Sequence, residues 1–474
     1  MDEISAVDMN NFMSVEQSHS TSEAENIADF QIKDGVLVTY LGSEENVIIP
    51  DFIIEIGTGA FSEKDIKTVT IPDSVKIIGK MAFFFCTELE NIYGACNVEL
   101  IDDMAFYSCQ KIKEIELSDK LKKIGVGAFT YNCLHRIILP ESLIEIQQDA
   151  FRGSQRLKEL SLNGQYLKKL GISSFSQCIS IETLNISAEL ISIPALCFEG
   201  CWNLTNVVIT GKLEEIADGA FSGCARLEQV ALPNSITRIK SAAFWQCTSL
   251  KEINIPSFIS EIESQTFGFC NQLQNISLPP NLTRIGFGAF QECTCLKCVH
   301  FPENLRVIES LAFFESGLEK IIIPRSVKKI GQLAFGFIHN DNVQSISVES
   351  DIIELEENAI CSKKMVRYYI DLCKKVISNE QAIRIMQNEK KITTKNQDIQ
   401  MIESILELKP YNTKWKDRKL EIKFLSLIII TSDLKSNSEV MKLVYSAFRT
   451  PEWDDCKDIK ACFMRWKKRL IEEG

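Results

Sequence analysis

The sequence lacks the residue patterns on which most enzymes depend. It has only 4 histidines, and none of them lies in an HExxH motif or in another cluster with metal-ligand spacing. No GxxxxGK[ST] loop is present, so the chain has no motif for holding a nucleoside triphosphate. We therefore expect a protein that is not an enzyme, with no metal, no cofactor and no small-molecule substrate.

Long apolar runs are missing as well. The longest, Phe424 to Ile430 with Ser426 inside it, is far too short to cross a bilayer. The first residues, MDEISAVDMNNFMSVEQ, carry acids where a secretory signal carries bases, and they lack an apolar centre. With neither a signal peptide nor a transmembrane segment in sight, we expect a cytoplasmic protein.

Phenylalanine, in contrast, recurs with a regular spacing. Successive members of one set are separated by 22 to 24 residues, a period that fits neither a helix nor a strand but fits a stack of structural repeats. A coil of that size cannot bury its own apolar face, so neighbouring coils must share one core. We expect these rings to form a buried ladder along the stack: Phe61, Phe83, Phe106, Phe129, Phe151, Phe175, Phe198, Phe221, Phe244, Phe267, Phe290, Phe313 and Phe335.

Cysteine follows the same period. The chain has 17 cysteines, an odd number that cannot pair completely within one chain. Eight of them lie three residues after an anchor phenylalanine, where we expect free, buried thiols that act as small hydrophobes in a reducing compartment. The repeat register places Cys295 and Cys298 outside this ladder, on the surface. The eight ladder cysteines are Cys86, Cys109, Cys178, Cys201, Cys224, Cys247, Cys270 and Cys293.

Between the anchors, each repeat has the same internal order. Apolar residues alternate with polar ones and end at proline, as in Leu250, Ile253, Ile255 and Pro256, a pattern that predicts a half-buried strand. A second short strand follows, as in SITRI (235–239). Glycine after it, as at Gly125, is expected to supply a tight turn into the next Ala-Phe pair.

These repeats resemble the BspA-like leucine-rich repeat. IPDSVKIIGKMAFFFCTEL (71–89) and LPPNLTRIGFGAFQECTCL (278–296) are close matches, and the resemblance covers roughly residues 30–360. It implies a β-rich solenoid, a right-handed stack of about 13 coils of 22–24 residues. Cysteine is replaced at Lys64, Asn132, Ser154, Ser316 and Ile338, and the last anchor is Ile360 instead of phenylalanine.

Composition divides the chain into four regions. Residues 1–29 lack periodicity and read as disordered, 30–60 as an N-terminal cap, 61–362 as the solenoid, and 363–474 as an all-α tail of about five helices. The tail holds 24 basic and 16 acidic residues, a net charge of +8, which leaves −20 on residues 1–362. This charge asymmetry indicates at least two functional parts.

The outward positions of the longer strand are the best candidates for function. Solenoids bind proteins through such a sheet, because its residues vary without disturbing the core. We therefore expect a non-enzymatic scaffold for a protein partner. Two alternatives remain: the basic tail contacts nucleic acid or an anionic membrane, or the chain is a surface adhesin exported by a non-classical route. The candidate contact residues are Lys158, Glu159, Glu182, Asn185, Thr205, Asn206, Glu228, Gln229, Lys251, Glu252, Asn254, Gln274, Asn275, Lys297 and His300.

Overall fold

The computed structural model describes residues 25–337, 343–348, 354–356 and 359–362, and the regular elements in these ranges are all β-strands. They are β1 (Glu25–Ile27), β2 (Phe30–Lys33), β3 (Val36–Tyr40), β4 (Asn46–Ile48), β5 (Glu55–Ile56), β6 (Thr68–Ile71), β7 (Ile77–Ile78), β8 (Asn91–Gly94), β9 (Leu100–Ile101), β10 (Lys123–Ile124), β11 (Glu145–Ile146), β12 (Glu159–Leu162), β13 (Lys169–Leu170), β14 (Thr183–Ile186), β15 (Ser192–Ile193), β16 (Asn206–Ile209), β17 (Glu215–Ile216), β18 (Gln229–Ala231), β19 (Arg238–Ile239), β20 (Glu252–Asn254), β21 (Glu261–Ile262), β22 (Asn275–Ser277), β23 (Arg284–Ile285), β24 (Val307–Ile308), β25 (Lys320–Ile323), β26 (Lys329–Ile330), β27 (Phe335–Phe337), β28 (Ser345–Val348), β29 (Glu354–Leu355) and β30 (Ile360–Ser362).

Most coils contribute one longer strand and one two-residue strand, and each strand pairs with its counterpart in the neighbouring coil. The pairing is parallel and in register, as between β14 and β16, where Leu184 lies opposite Val207. Alternation decides the burial: Thr183 and Asn185 point outward, whereas Leu184 and Ile186 are buried. The predicted solenoid is therefore confirmed. Its core is one continuous cluster that runs the length of the stack.

The short strands form an interrupted sheet. Its parts are β1-β2-β3-β5-β7-β9-β10-β11-β13, then β15-β17-β19, then β21-β23-β24-β26-β29. After a short strand, the next N–H normally donates to the preceding coil, as Ala217 does to the carbonyl of Ile193 at 2.9 Å. Pro194 occupies this position one coil earlier. Because proline has no N–H to donate, the sheet is interrupted between β13 and β15.

The thirteen anchor phenylalanines form a single stack. All twelve consecutive pairs of ring centroids lie 4.9 to 5.8 Å apart, with planes within 14° of parallel. Every ring is completely buried. Offset stacking at this separation is a favourable arrangement for aromatic rings, and the backbone sets the spacing, because each anchor N–H donates to the next coil, as Phe61 does to Ala82 at 2.7 Å.

The anchor turn places two residues per coil in the left-handed region, two positions before and two positions after the phenylalanine. Around Phe83 these are Met81 and Phe85, each with φ of 55°. Non-glycine residues adopt this conformation at a cost, which is offset because both N–H groups donate to the next coil at 2.8 and 2.9 Å. The sequence pattern did not predict this feature.

The preference for glycine before the anchor turn has a different physical cause from the one expected. Gly125 was expected to supply the turn itself, but it does not have positive φ. A Cβ at Gly125 would lie 2.5 Å from the carbonyl carbon of Asp102 in the preceding coil. Close approach between two coils, and not turn conformation, therefore favours glycine here.

The ladder cysteines do more than fill space. Each thiol donates a hydrogen bond to the carbonyl oxygen of the anchor phenylalanine one coil earlier, as Cys247 does to Phe221 at 3.2 Å. Asn132 and Ser154 replace cysteine at the same position, and both donate to the corresponding carbonyl, at 3.0 and 3.4 Å. The position therefore takes a small buried donor, and cysteine is one of three residues that provide it.

The N-terminal end of the stack is closed by antiparallel strands. Strands β2 and β3 form the expected hairpin around Asp34 and Gly35, whose φ values of 51° and 77° match a type I′ turn. The hairpin also carries Tyr40, whose ring continues the stack 5.1 Å from Phe61. Strand β1 pairs with β2, so regular structure begins at Glu25, inside the segment 1–29 for which disorder was expected, because the antiparallel partner supplies its hydrogen bonds.

At the other end, the last described anchor position is occupied by Ile360. It pairs with Phe335 through β27 and β30, and it is buried. The predicted disordered residues 1–24, the missing cysteine at Ile338 and the predicted helical tail 363–474 lie outside the described residues.

Candidate functional site

Six longer strands form the most regular surface of the described chain. Strands β12, β14, β16, β18, β20 and β22 pair in this order, and we call them the main sheet. One row of outward residues runs across it in register, each residue opposite its neighbour in the next coil: Glu159, Thr183, Asn206, Gln229, Glu252 and Asn275.

The structure brings most of the sequence-predicted contact residues onto this sheet. Seven lie within its strands: Glu159, Asn185, Asn206, Gln229, Glu252, Asn254 and Asn275. Six directly precede a strand: Lys158, Glu182, Thr205, Glu228, Lys251 and Gln274. Lys297 and His300 lie in the next coil, which has no longer strand at this position: Cys298 makes only an isolated bridge to Lys320. All fifteen side chains are exposed except Thr205, which is half-buried.

Charges next to the main sheet are partly paired with one another. Lys251 contacts Glu228 at 2.7 Å, and Lys297 contacts Glu319 at 3.3 Å. The hydrogen bond that Lys251 donates lowers the pKa of Glu228. The charges of Lys251 and Glu228 therefore offset each other, whereas Glu252 is an exposed acidic side chain in the row, next to the amides of Gln229 and Asn275.

The sheet has a sharp boundary on its N-terminal side. Residues 113–117 and 135–139 occupy the equivalent positions in two coils, but they form no strand. Ile112, Leu134 and Ile137 nevertheless remain buried. The core is therefore continuous where the surface sheet is not, and the surface divides into β4-β6-β8 on one side and the main sheet on the other.

A second surface feature adjoins the main sheet, and the sequence interpretation missed it. A trough of about 440 Å³ lies beside the N-terminal ends of the same strands. Its signal in the sequence is the residue directly after the ladder cysteine, which is tryptophan in one coil and small or polar in the next three. The trough is lined by Trp202, Gly223, Ala225, Gln246, Thr248, Phe269 and Asn271.

The buried thiols do not form a reactive centre. Burial raises the pKa of Cys178 and of Cys197 to about 12, so neither is a thiolate at neutral pH. The Cys197 thiol lies 3.3 Å from the hydroxyl of Ser174, a contact between two buried polar groups. Within the described ranges, no cluster of His, Cys, Asp or Glu has the geometry of a metal site.

Cys295 and Cys298 were both expected on the surface. Cys298 is exposed, whereas Cys295 is half-buried, because its N–H donates to Asn271 in the preceding coil at 3.1 Å and draws the residue towards the stack.

Nothing in the described part of the chain is a helix with the length and apolarity of a membrane span. The suggested contact of the basic tail with nucleic acid or an anionic membrane concerns residues outside that part, and it stays a prediction.

Known proteins resemble this chain in sequence and in structure. Residues 39–158, 122–251, 214–340 and 260–382 match the BspA type leucine rich repeat region, which together is more than half of the chain. No curated protein matches it. A leucine-rich repeat protein from Bacteroides ovatus has a solved structure similar to this one, with 26% identity, a TM-score of 0.54, and coverage of 68% of this chain and 93% of that chain.

Two further solved structures cover similar shares. A leucine rich cell surface protein from Faecalibacterium prausnitzii is 25% identical, covers 70% of this chain and 96% of that chain, and has a TM-score of 0.43. A leucine-rich repeat protein from Eubacterium ventriosum is 19% identical, covers 67% and 94%, and has a TM-score of 0.42.

Proposed function

Because the chain belongs to the BspA type leucine-rich repeat family, whose members generally act as protein-interaction or surface-binding modules, we propose that it is a non-enzymatic scaffold that binds a protein partner. The partner contacts the outward face of the main sheet. The observation that carries this proposal is the in-register row of exposed polar side chains on six paired strands.

Core and surface are independent on this sheet. The inward residues Leu184, Val207 and Val230 are at most 5% exposed and are all aliphatic. The outward residues opposite them change from coil to coil among amide, hydroxyl, acidic and small side chains. Such a face can take on a new partner by substitution without loss of stability, which favours a recognition role over a purely structural one.

The face is also rigid. Adjacent strands are joined by backbone hydrogen bonds that continue beyond the strands, as where Thr205 donates to the carbonyl of Glu182 at 3.0 Å and Glu228 donates to Thr205 at 3.3 Å. Binding on such a surface requires little ordering of the backbone, and this lowers the entropic cost of association.

Site-directed photo-crosslinking tests the proposal. A photoreactive amino acid at Asn206, on the main sheet, is expected to capture one dominant partner in cells. The matched control is Thr237, which is also exposed but lies beside the short strand β19. Equal capture from both positions, or from Thr237 alone, would contradict binding through the main sheet.

We also propose a cytoplasmic location. All thirteen cysteines whose side chains are described are free, which suits a reducing compartment. Trapping the thiols in intact cells, followed by mass spectrometry, tests this: extensive disulfide bonding among the ladder cysteines would contradict it.

A further inference from the structure

The trough beside the main sheet exists because one coil has small side chains where its neighbours have larger ones. Ala225 occupies the position that Trp202, Thr248 and Asn271 occupy in the coils around it. Gly223, in the same coil, likewise replaces larger side chains such as Gln246 and Phe269. The two small residues form the floor of the trough, with Trp202 on one side and Gln246 and Thr248 on the other; the position of Gly223 is also glycine, Gly200, in the preceding coil. A volume of about 440 Å³ is within the range of ligand sites.

The lining of the trough contains no ionisable side chain. Arg226, which follows Ala225 in the chain, donates a hydrogen bond of 3.2 Å to the side chain of Asn203. This neutral patch belongs to a part of the chain whose net charge is −20. A charged ligand would have to give up its hydration here without gaining an opposite charge, so electrostatic complementarity selects an uncharged occupant.

Two polar side chains of the trough keep a free hydrogen-bond donor, whereas Thr248 donates to the carbonyl of Ala225 at 3.0 Å and Asn271 donates to the carbonyl of Glu292 at 2.9 Å. Trp202 is 56% exposed, and neither its indole N–H nor the side-chain amide of Gln246 makes a hydrogen bond among the described residues. Both can donate outward. Proline-rich chains match this chemistry, because their backbone offers carbonyl acceptors and lacks N–H donors, and because proline rings pack on aromatic side chains.

The spacing of the coils agrees with the same ligand. Trp202 and Thr248 lie at the same position two coils apart, and two coils advance about 9.6 Å along the stack. One turn of a polyproline II helix advances about 9.3 Å in three residues. A polyproline II segment parallel to the stack can therefore place one proline on Trp202 and another, three residues later, at Thr248.

We propose that this trough binds an uncharged, proline-rich segment of the partner protein in the polyproline II conformation. The inference builds on the proposed function, since the trough and the main sheet share the same coils and a single partner can contact both. The inference adds that the partner carries a proline-rich segment next to the surface that contacts the main sheet.

The test uses the full chain and a decaproline peptide, with binding followed by calorimetry. We expect decaproline to bind and a Gly-Ser decamer not to bind. Trp202→Ala is expected to weaken binding about tenfold or more, as for an aromatic anchor. Ala225→Gln fills the floor and is expected to do the same without unfolding, because neighbouring coils accept larger side chains at this position. Phe258→Ala removes an aromatic of similar exposure, 66%, outside the trough and should leave binding unchanged.

Other results would overturn the proposal. These are no binding of decaproline to the wild type, equal loss in the Phe258 variant, or binding of maltohexaose in place of decaproline, which would assign the trough to a neutral glycan. If decaproline does not bind but crosslinking from Asn206 still captures a partner, the proline-rich segment is rejected and the proposed binding through the main sheet is retained. If decaproline does not bind and crosslinking from Asn206 captures no partner, both proposals are rejected.

Discussion

Truncation of one ring in the middle of the phenylalanine stack should be costly. Phe244 is completely buried, with its centroid 5.5 Å from Phe221 and 5.7 Å from Phe267. Phe244→Ala removes both stacked contacts, each of about 0.5–1.5 kcal/mol, and leaves a cavity. We expect a total loss of about 3–5 kcal/mol in the free energy of unfolding.

The structure also explains why the cavity cannot close. The N–H of Phe244 donates to Thr266 at 2.9 Å, and the N–H of Phe221 donates to Ala243 at 2.8 Å. These bonds hold the coils at a fixed spacing, so the neighbouring rings cannot move together. The cost should therefore lie towards the upper end of the range.

Urea unfolding monitored by far-UV circular dichroism measures the total cost, and hydrogen exchange locates it. The loss of hydrogen-exchange protection should be largest in the coils of Phe221 and Phe267 and smallest in the distant coil of Phe83, because each coil contacts only its neighbours. Phe258→Ala, at an exposed ring, should change stability by less than about 0.5 kcal/mol. A loss below about 1 kcal/mol for Phe244→Ala, or one equal to that control, would refute the packing argument.

Three further predictions concern other features of the solenoid. A thiol reagent should label Cys298 before any ladder cysteine in the native protein; earlier labelling of a buried thiol, detected by mass spectrometry, would contradict the repeat register. The hydrogen bond from Lys122 lowers the pKa of Glu99, so ionised Glu99 stabilises the fold above the pKa that it has in the unfolded chain, and this stabilisation is lost as the pH falls. Burial raises the pKa of Glu55, so ionised Glu55 destabilises the fold. Thermal unfolding at pH 7 should accordingly show a lower Tm for Glu99→Gln and a higher Tm for Glu55→Gln, with both differences vanishing in strong acid; the same sign for both variants at pH 7 would contradict the assignment. Ser154→Cys should unfold at nearly the same denaturant concentration as the wild type, whereas Ser154→Val, which has no donor, should lose about 1–3 kcal/mol; equal effects of the two substitutions would show that the donor is unimportant.

Much of the fold can be predicted from the sequence because the repeat is strict. The period of 22 to 24 residues identifies the anchor phenylalanines. The same repeat register identifies the outward residues in and next to the longer strands, and fourteen of the fifteen chosen are exposed. Thr205 is half-buried, and its hydroxyl donates to the carbonyl of Glu182 at 3.0 Å. That bond joins residues 23 positions apart in neighbouring coils, so it cannot be read from the strand pattern of one repeat.

The trough, in contrast, could not be predicted from the repeat pattern. Trp202 stands out in the sequence, but its importance depends on the small side chains of Gly223 and Ala225 in the next coil and on Gln246 two coils away. Each of these residues is unremarkable within its own repeat. Only superposition of the coils in space shows that they line one surface.

The sequence by itself determined the repeat, the identity of the buried ladder residues and the outward set of the main sheet, since burial in a stack depends only on periodic position. Tertiary structure decided the features that depend on contacts between coils. These include the left-handed anchor turns, the thiol hydrogen bonds that Asn132 and Ser154 reproduce, the break at Pro194 and the interruption at 113–117. The physical reason is that hydrogen bonds and close approaches between stacked coils join residues about 23 positions apart, and a motif within one repeat cannot express them.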